Sequence, residues 1–569
     1  MSSLSGHWKR STVYMMLSGI KNCAITFGKS AGLGAILTGL HLSLSTGALA
    51  SPPPPVVDDC SALRVMDFSR IGGGDAATKI MKGELQGSVT LSDKDIKQVS
   101  RRAQVMGAPF SKDNATLPEN CYVEGYVNPH IKFKLRLPAP EAWNGRFLLT
   151  ACDGFCGKAP DDAPIAGMSR GYAAMSTDGG HWGEHPFDAI WAKDNVQARI
   201  DFAYRTNHVL LMAAKAIIKE YYGEEQAYSY MTGCSKGGHA GVMSAQRYPD
   251  DYDGIIARDP TINYTKVNLL RCGDTAKAVY DDEGNILLDA SKTPLIQRAV
   301  MEYCDPKDGL KDGMISDART CDFDPILITC GQPGVGPNCL TETEAQALRD
   351  LYSPLLDEHG NEIYGGQAYG SEMAWPAWAL PVDNTEKIYA WKAYTEYLKY
   401  MAYRKSPMPN YDYKDFDYNR DKAGLEDMSH VFDADNPNLE GLAKSGNKLM
   451  VLHGWADPAV PATASIEWYE RVLRTMGGRE NVVDYARMFL LPGNHHCDGG
   501  VGPDTFDALA LLVDWVENGK APSELMTTKV YEGEVERSRP VYPYPLVAKY
   551  KGRGSIDEAK NFKPHDPTK

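Results

Sequence analysis

The chain has 569 residues, which is too long for one simple core, so we expect one large domain with an insertion, or two domains. Its content of 43% apolar and 24% charged residues is ordinary for a globular protein. A formal net charge of −14 and a pI near 5.5 exclude the broad basic face that nucleic-acid binding requires. We therefore expect no nucleic-acid partner.

The first fifty residues differ in composition from the rest of the chain. Basic residues precede an apolar stretch over residues 31–44, and the small-residue run Ala48-Leu49-Ala50 follows it. This order is typical of a secretory signal peptide, which we place at residues 1–50. The alternative is an uncleaved membrane anchor, but the apolar stretch is short and rich in Gly and Ser. No later stretch is long and apolar enough to span a bilayer, so we expect a secreted or periplasmic protein without stable membrane insertion.

Cysteine usage agrees with export. Of twelve cysteines, Cys23 lies in the signal, which leaves eleven. No C-x-x-C pairs of the zinc-binding type occur, so several disulfides in an oxidising compartment are expected. Because eleven is odd, at least one thiol is expected to be unpaired.

The first part of the mature chain leads to a short buried strand. Residues 60–128 are polar with Gly-rich breaks and indicate an irregular N-terminal layer, and residues 122–137 alternate as edge strands do. Residues 147–151 are typical of a buried strand, and a tight loop over residues 152–157 follows. In hydrolases with a serine at a strand–helix turn, a loop placed here supplies a second N–H donor to the oxyanion. An ordinary glycine turn is the equal alternative.

The rest of the chain is organised around the stretch at residue 235. An apolar, aromatic-rich run over residues 226–232 predicts a strand, and residues 236–247 predict a helix. Between them, Gly233-Cys234-Ser235-Lys236-Gly237 matches G-x-S-x-G. In a nucleophile elbow this pattern avoids collisions at the glycine positions and exposes the serine hydroxyl at a helix N-terminus. A glycine-rich turn without chemistry is the alternative.

Strand and helix patterns alternate on both sides of this turn. Strand patterns at residues 172–177 and 252–257, with helical spacing over 201–222, predict a largely parallel sheet covered on both faces. From about residue 260 strand patterns fade and Tyr, Trp, Asp and Asn accumulate. The α/β pattern then resumes with strands at 448–454 and 487–492 and helices at 461–476 and 505–519, and we predict that the strand at 487–492 is the last strand of the chain.

These changes divide the chain. We predict an α/β domain in two parts, residues 51–260 and 442–569, with an inserted domain over residues 261–441.

An activated serine needs a base and an acid that orients the base. Asp457 follows the strand that ends at Gly454, and His495-His496 follows the strand that ends at Pro492. Both positions are at carboxyl ends of strands, where such a sheet places its site. A surface aspartate and a loop histidine pair are the alternatives, and either histidine fits.

Four stretches together resemble the tannase and feruloyl esterase family. The similarity extends from about residue 60 to 562, and its most specific feature is a cysteine directly before the serine and another directly after the histidine. The stretches are residues 233–238, 248–257, 453–458 and 496–500.

The resemblance implies an α/β-hydrolase fold whose insertion is a lid over the active site. It also implies the disulfide Cys234–Cys497, and with it His496 as the base. Spacing and family pattern imply the other disulfides as Cys304–Cys321, Cys330–Cys339 and Cys60–Cys121, and leave Cys152, Cys156 and Cys272 open.

The resemblance further implies a structural calcium site in the lid. Three carboxylates within eight residues suit a hard cation that takes six to eight oxygen ligands, although the spacing is not that of an EF-hand. By family match, side chains of Asp305, Asp308 and Asp312 and the carbonyls of Leu310 and Met314 are the ligands. An acidic turn without metal is the alternative. No organic cofactor is implied.

Two places depart from the family pattern. The loop Cys152-Asp153-Gly154 replaces a more glycine-rich run, which leaves the second oxyanion donor open. Near the C-terminus, a tyrosine stands where relatives often have a cysteine, so we expect no C-terminal disulfide.

The expected activity is serine carboxylic-ester hydrolysis of a small-molecule aromatic (phenolic) acid ester, such as a feruloyl or galloyl ester. Ser235 is the nucleophile, His496 the base and Asp457 its orienting acid. The N–H groups of Lys236 and about Gly154 hold the oxyanion. Terephthalate monoester hydrolysis is an alternative within the family. A catalytically silent protein that binds phenolic compounds or carbohydrate is the alternative outside it.

Three further side chains have two interpretations each. His453 matches a substrate-side position in relatives, or it orders the acid loop. Trp375 and Trp378 stack on an aryl group, or they pack in the core.

Overall fold

A computed structural model describes residues 59–105, 107–110, 112–407 and 413–567. These described residues form one compact unit. The predicted signal peptide, residues 1–50, lies outside the described residues.

A nine-stranded sheet forms the centre of this unit. Its order is β1-β2-β3-β5-β4-β6-β7-β8-β9 when its strands are numbered along the chain. The strands are β1 Thr78–Gln86, β2 Asn120–Val127, β3 Ile131–Pro138, β4 Arg146–Thr150, β5 Ala173–Thr177, β6 Tyr228–Cys234, β7 Gly254–Arg258, β8 Lys448–Gly454 and β9 Ala486–Leu491.

The sheet is antiparallel at one end and parallel over the rest. Strands β1, β2, β3 and β5 pair antiparallel in that order. Pairing is parallel from β5 through β4, β6, β7 and β8 to β9. The parallel strands β5 and β7 are buried at every residue, as expected for strands covered on both faces.

Alternate residues of the parallel strands enter two separate cores. Met231 and Val451 pack with helices on one face, and Tyr230 and Met450 pack with a helix on the other. The helices of the first face are α1 Thr206–Tyr222, α2 Lys236–Arg247 and α3 Thr463–Thr475, and the helix of the second is α4 Ala508–Asn518. Other helices outside the 261–441 segment are Asp59–Ala62, Asp93–Val105, Asp162–Met168, Val196–Ile200 and Arg479–Val482.

The segment 261–441 is mainly helical and supplies most of a third core. That core contains the buried aromatic residues Trp375, Tyr394 and Tyr397. The α-helices described within the segment are Tyr264–Lys266, Cys272–Val279, Thr293–Cys304, Glu342–Tyr352, Tyr389–Tyr400 and Tyr418–Phe432, and the strands are Leu355–Leu356 and Glu362–Tyr364. Helix Glu440–Ser445 crosses the predicted end of the segment. The domain boundaries themselves stay predictions.

Three predictions about strands were wrong. The segment 60–128 is not an irregular layer, because Thr78–Gln86 pairs with β2 as a strand of the sheet. Strand β3 is not an edge strand, since β2 and β5 pair with it on both sides. Strand β9 is not the last strand of the chain, because two hairpins follow it. Their strands are Leu525–Tyr531 with Glu534–Val541, and Val547–Tyr550 with Phe562–His565.

Five disulfides and one free thiol occur among the described residues. The four implied pairs are present as Cys60–Cys121, Cys234–Cys497, Cys304–Cys321 and Cys330–Cys339. Cys152 pairs with Cys156, a question that the sequence left open. Cys272 is the unpaired thiol, and burial raises its pKa to about 12.

No helix within the described ranges has both the length and the apolar character needed to cross a membrane.

Candidate active site

Ser235 occupies the sharp turn between β6 and α2. Its backbone has φ 60° and ψ −118°, a conformation that side-chain-bearing residues rarely adopt. A Cβ atom at Gly233 would lie 2.6 Å from the carbonyl carbon of Gly237, and one at Gly237 would lie 3.2 Å from the Ala151 oxygen. The glycines are therefore required by close backbone approach, as in a nucleophile elbow.

Asp457 lies in the loop after β8 and is fully buried. Its Oδ1 accepts hydrogen bonds from the N–H groups of Ala459 and Val460 at 2.7 and 2.9 Å. Burial alone would raise the pKa of this carboxyl, but the charge of His496 and hydrogen bonds from His453 and His496 hold it below its usual value. Asp457 is thus ionised at neutral pH.

His496 lies in the loop after β9 and contacts Asp457 directly. Its Nδ1 donates a 2.6 Å hydrogen bond to Asp457 Oδ2, which leaves Nε2 as a proton acceptor when the ring is neutral. Burial lowers the pKa of His496, but the charge and hydrogen bond of Asp457 outweigh this and raise it. The orienting bond selects His496 rather than His495, the choice that the residue pattern alone left open.

The serine and the histidine are joined through their neighbours. Cys234 and Cys497 form a disulfide with a Cα–Cα distance of 5.8 Å. Between the described residues Ser235 and His496 no hydrogen bond is formed. Such contacts are often long without substrate and shorten in the reacting complex.

The two predicted oxyanion donors lie on the same cleft as Ser235. Lys236 is the first residue of α2, where backbone N–H groups have no partner within the helix, and Gly154 lies on the opposite loop. Gly154 has φ +60°, and a Cβ there would lie 2.7 Å from the Pro186 oxygen. The Cys152–Cys156 disulfide closes the loop around Gly154.

The cleft is open to solvent and has a largely apolar wall. Trp378 lies on this wall, with its ring centre 6.1 Å from that of His496, whereas Trp375 is fully buried in the core and donates to Ser371 Oγ. The structure therefore places Trp378 on the cleft and Trp375 in the core, a distinction that the sequence could not make. Other apolar wall residues are Phe155, Phe187, Tyr264, Val267, Ala393, Ala459 and Val460.

His453 is buried beneath the acid loop and does not line this cleft. Its Nε2 donates to the Val460 carbonyl at 2.7 Å, and its Nδ1 lies 2.9 Å from Ser465 Oγ. Both nitrogens are therefore engaged by the protein. This placement disagrees with a substrate contact and favours the alternative interpretation, in which His453 orders the loop of Asp457.

The side chain of Lys236 is also buried, beside aromatic residues. Its Nζ lies 4.5 Å from the centre of the Phe202 ring, and burial lowers its pKa to about 7. Within the described residues it forms no ion pair or hydrogen bond.

Asp259 is a site residue that the sequence reading missed. It directly follows β7. One carboxylate oxygen of Asp259, one of Asp457 and a ring nitrogen of His496 all lie within 4.8 Å of one another. The available signal was the polar run Arg258-Asp259-Pro260 at the carboxyl end of a strand, next to the strand that carries the nucleophile.

The aspartates predicted to bind calcium lie on one loop after helix Thr293–Cys304. Backbone N–H groups of this loop donate to both carboxylate oxygens of Asp305 and of Asp308, and burial raises the pKa of both side chains. Asp312 instead pairs with Arg539 at 2.8 Å. Among the described residues, the oxygens of these three carboxylates do not all lie within 4.8 Å of one another.

Comparison with known proteins agrees with this architecture. In solved structures, feruloyl esterase B from Aspergillus oryzae superposes with a TM-score of 0.75 at 23% identity, covering 89% of this chain and all of that one, which shows the fold. The chain is 31% identical to mono(2-hydroxyethyl) terephthalate hydrolase of Piscinibacter sakaiensis, over 80% of this chain and 86% of that protein. It is 29% identical to feruloyl esterase B of Aspergillus niger, over 74% and 82% of the two chains.

The family model "Tannase and feruloyl esterase" matches residues 116–564, most of the chain and every part of the site described above. The chain therefore belongs to the tannase and feruloyl esterase family of carboxylic ester hydrolases.

Proposed function

We propose that the protein hydrolyses esters through an acyl-enzyme on Ser235, with His496 as the base and Asp457 as the acid that orients it. The observation that carries this proposal is the 2.6 Å bond from His496 to a buried Asp457, next to an elbow serine held by a disulfide. All three side chains follow carboxyl ends of parallel strands.

The reaction follows from the roles of these groups. The Ser235 hydroxyl attacks the ester carbonyl while His496 Nε2 takes its proton. Backbone N–H groups of Lys236 and Gly154 stabilise the tetrahedral oxyanion. His496 then gives the proton to the leaving alcohol oxygen as the ester C–O bond breaks. Water, deprotonated by His496, then attacks the carbonyl of the acyl-Ser235 ester. The bond between that carbon and Ser235 Oγ breaks, His496 returns the proton to Oγ, and the acid is released.

The proposed substrates are aromatic (phenolic) acid esters such as feruloyl or galloyl esters. The aromatic wall formed by Phe155, Phe187, Tyr264 and Trp378 beside the nucleophile favours a planar acyl group. Names of relatives point in the same direction, since they include feruloyl esterases. A terephthalate monoester is the alternative, which the similarity to mono(2-hydroxyethyl) terephthalate hydrolase favours.

Two measurements test the proposal. Hydrolysis of p-nitrophenyl acetate is expected to disappear in Ser235→Ala, and unchanged activity in that variant would refute the assignment and favour a binding protein. Comparison of kcat/KM for methyl ferulate, methyl gallate and mono(2-hydroxyethyl) terephthalate then ranks the acyl groups. A preference for aliphatic esters over all three would refute the aromatic assignment.

We also propose that the loop 305–314 binds Ca²⁺ through Asp305, Asp308 and Asp312 and the carbonyls of Leu310 and Met314. An all-oxygen donor set on one loop has the chemistry that a hard cation requires, and each carboxylate oxygen of Asp305 and Asp308 has a lone pair beyond its backbone hydrogen bond. The three carboxylates would have to move closer together to share one ion. Arg539 is a competing positive charge beside Asp312. The ion would supply charge neutralisation and stability to the loop rather than chemistry.

Chelation tests the calcium proposal. Calcium is expected to raise the Tm of the EDTA-treated wild type and to leave that of Asp308→Asn unchanged. Equal Tm values for the wild type with calcium and with EDTA would contradict it.

Export is proposed on two grounds. Five disulfides are favoured in an oxidising compartment, and residues 1–50 have the pattern of a secretory signal. The N-terminal sequence of the mature protein tests this. A mature chain that begins before residue 31 would contradict cleavage after Ala50.

A further inference from the structure

Asp259 lies between the strands that carry the nucleophile and the acid. It directly follows β7, which pairs with β6 on one side and with β8 on the other. The residue is fully buried. A carboxylate in such a place is stable only when it is hydrogen-bonded or paired.

Both carboxylate oxygens of Asp259 accept backbone hydrogen bonds from different parts of the site. Oδ1 accepts from the N–H of Gly454 at 2.7 Å, at the end of the strand before Asp457. Oδ2 accepts from the N–H of Cys497 at 2.8 Å, the residue after His496. One side chain therefore connects the acid strand to the turn that carries the base.

The backbone conformation is unfavourable at three residues in this region. Asp259, Cys497 and Ser235 have φ values of +42°, +65° and +60° without being glycine. Each such conformation costs about 1–3 kcal/mol and persists only where surrounding contacts enforce it. Cys234 Sγ lies 3.4 Å from Asp259 Oδ2, so the disulfide and the carboxylate meet at this point.

Charged groups surround Asp259 and His496. Arg258 Nε lies 3.5 Å and His453 Nε2 4.0 Å from Asp259. Burial lowers the pKa of His496, whereas the negative charges of Asp457, Asp259 and Asp153 raise it. On the same turn, Asp498 pairs with the exposed Arg101, and the pKa of His495 is lowered, chiefly by burial.

We propose that Asp259 is a positioning residue that holds the turn of His496 and Cys497 against the acid strand. Its negative charge also stabilises the imidazolium that forms during the reaction. The disulfide connects this turn to the nucleophile, and Asp259 connects it to the acid strand. This inference rests on the proposed function of Ser235, Asp457 and His496.

Asp259→Asn tests the inference, because an amide must present an NH₂ group to one of the two backbone N–H donors. We expect kcat on p-nitrophenyl acetate to fall by about 10- to 100-fold, since small displacements of catalytic groups have effects of this size, with KM changed little. The acidic limb of the kcat/KM profile should move to lower pH, because loss of a nearby negative charge lowers the pKa of His496.

Glu517→Gln is the matched control. Glu517 is a mostly buried carboxylate that pairs with Arg146 and accepts from the Tyr230 hydroxyl, away from the site. It should lower the Tm without moving the acidic limb. The free-thiol content of Asp259→Asn should equal that of the wild type, which shows that Cys234–Cys497 has formed.

Asp259→Glu separates charge from geometry and serves if the amide variant does not fold. It should keep the acidic limb near that of the wild type and still lower kcat, because the longer side chain displaces both acceptor oxygens. Wild-type kcat and an unmoved limb in Asp259→Asn, or wild-type kcat in Asp259→Glu, would overturn the inference. Failure of the proposed function is distinct, since it would appear as activity retained in Ser235→Ala.

Discussion

Ser235 shows how a single residue depends on its surroundings. Its positive φ is unfavourable for a residue with a side chain, by about 1–3 kcal/mol. The turn is held by the Ser235 N–H, which donates to the Arg258 carbonyl at 3.0 Å, and by the Ser235 carbonyl, which accepts from His239 at 2.9 Å. Backbone bonds to a neighbouring strand and to the next helical turn thus place the hydroxyl on the cleft.

Asp457→Asn is the sharpest test at the residue scale. An amide at this position cannot hold His496 in the same tautomer, and kcat is expected to fall by about 10⁴-fold. In the wild type, despite burial, the charge of Asp457 raises the pKa of His496 above 6.5. As the pH decreases through that pKa, His496 becomes protonated and can no longer act as a base, so kcat/KM falls. Without the Asp457 charge that limb moves to lower pH. A kcat within tenfold of the wild type would contradict the role of Asp457.

Lys236→Met tests the cost of a buried ammonium group. Burial lowers the pKa of Lys236 from 10.5 to about 7, so the unfolded chain binds this proton more tightly than the folded one. The buried ammonium group therefore destabilises the folded state by its full amount below pH 7, and this destabilisation disappears as pH rises towards 10.5. The free energy of unfolding should therefore increase by about 1–4 kcal/mol at pH 6.5 and by much less at pH 9.5.

Lys219→Met is the control for this change, because Lys219 is exposed and pairs with the exposed Glu225. Denaturant unfolding at the two pH values makes the measurement. Hydrolysis should continue in Lys236→Met, since the proposed oxyanion donor is the backbone N–H. No stabilisation at pH 6.5 would show that the ammonium finds a favourable environment in the fold.

At the scale of elements, the loop after β4 is shaped by its own disulfide. Cys152–Cys156 encloses Gly154, and the Gly179 position is so close that a Cβ there would lie 2.9 Å from Cys156 Sγ. The loop therefore has little freedom to move relative to β5. This rigidity holds Gly154 in place on the cleft wall.

Replacement of Cys152 and Cys156 by serine should lower kcat with little change in KM. A mobile loop presents its N–H to the oxyanion less often, and loss of one such donor costs about 10²–10³-fold at most. Replacement of Cys330 and Cys339, a short disulfide in the 261–441 segment, is the control and should leave kcat unchanged. Equal kcat values in both double variants would remove the loop disulfide from the catalytic account.

The disulfide Cys234–Cys497 connects two loops that are 263 residues apart in sequence. Its removal in Cys234→Ala/Cys497→Ala should lower the free energy of unfolding by about 2–5 kcal/mol and also lower kcat. Cys60→Ala/Cys121→Ala, which removes a disulfide at the far edge of the sheet, should lower stability alone. Full activity without Cys234–Cys497 would show that the link is dispensable for catalysis.

At the scale of the whole molecule, the cleft lies where two parts of the chain meet. Gly154 and Ser235 come from loops of the sheet, while Tyr264, Trp378 and Ala393 come from the 261–441 segment. Aromatic contacts such as Phe187 with Trp378 connect the two parts. Substrate selectivity is therefore expected to change with residues of the segment, and the chemistry with residues of the sheet loops.

The hairpin formed by Leu525–Tyr531 and Glu534–Val541 is joined to the same segment by a buried ion pair. Arg539 pairs with Asp312 at 2.8 Å, with side-chain exposures of 5% and 3%. Arg539→Gln leaves that carboxylate without its charged partner and should lower the free energy of unfolding by about 3–5 kcal/mol.

Arg537→Gln is the matched control, because the Arg537–Asp557 pair is more exposed and should contribute about 1 kcal/mol or less. Denaturant unfolding in the absence of calcium makes the comparison. Equal losses in the two variants would contradict a special role for the buried pair.

Local patterns in the sequence were sufficient for much of the site. Ser235 was predictable because G-x-S-x-G between a strand and a helix has few other structural meanings, and Asp457 because it follows a clear apolar strand. The neighbouring histidines 495 and 496 have almost the same local context. Only the bond to Asp457, or the family pattern of the following cysteine, distinguishes them.

Other features required long-range contacts. Strand β3 has the alternating pattern of an edge strand, yet it is paired on both sides because strand order is set by packing between distant segments. Asp259 has no motif, and its partners Gly454 and Cys497 are about 200 residues away.

The sequence by itself determined the fold class, four disulfide pairs and the strand-end positions of the proposed nucleophile and acid, because each depends on local periodicity or on a short motif with a known counterpart. The tertiary structure alone decided which tryptophan faces the cleft, where His453 points, that Cys152 pairs with Cys156, and that Asp259 connects the acid strand to the base turn. The physical reason is that side-chain direction and hydrogen bonding are set by the packing of segments distant in sequence, which local pattern does not encode.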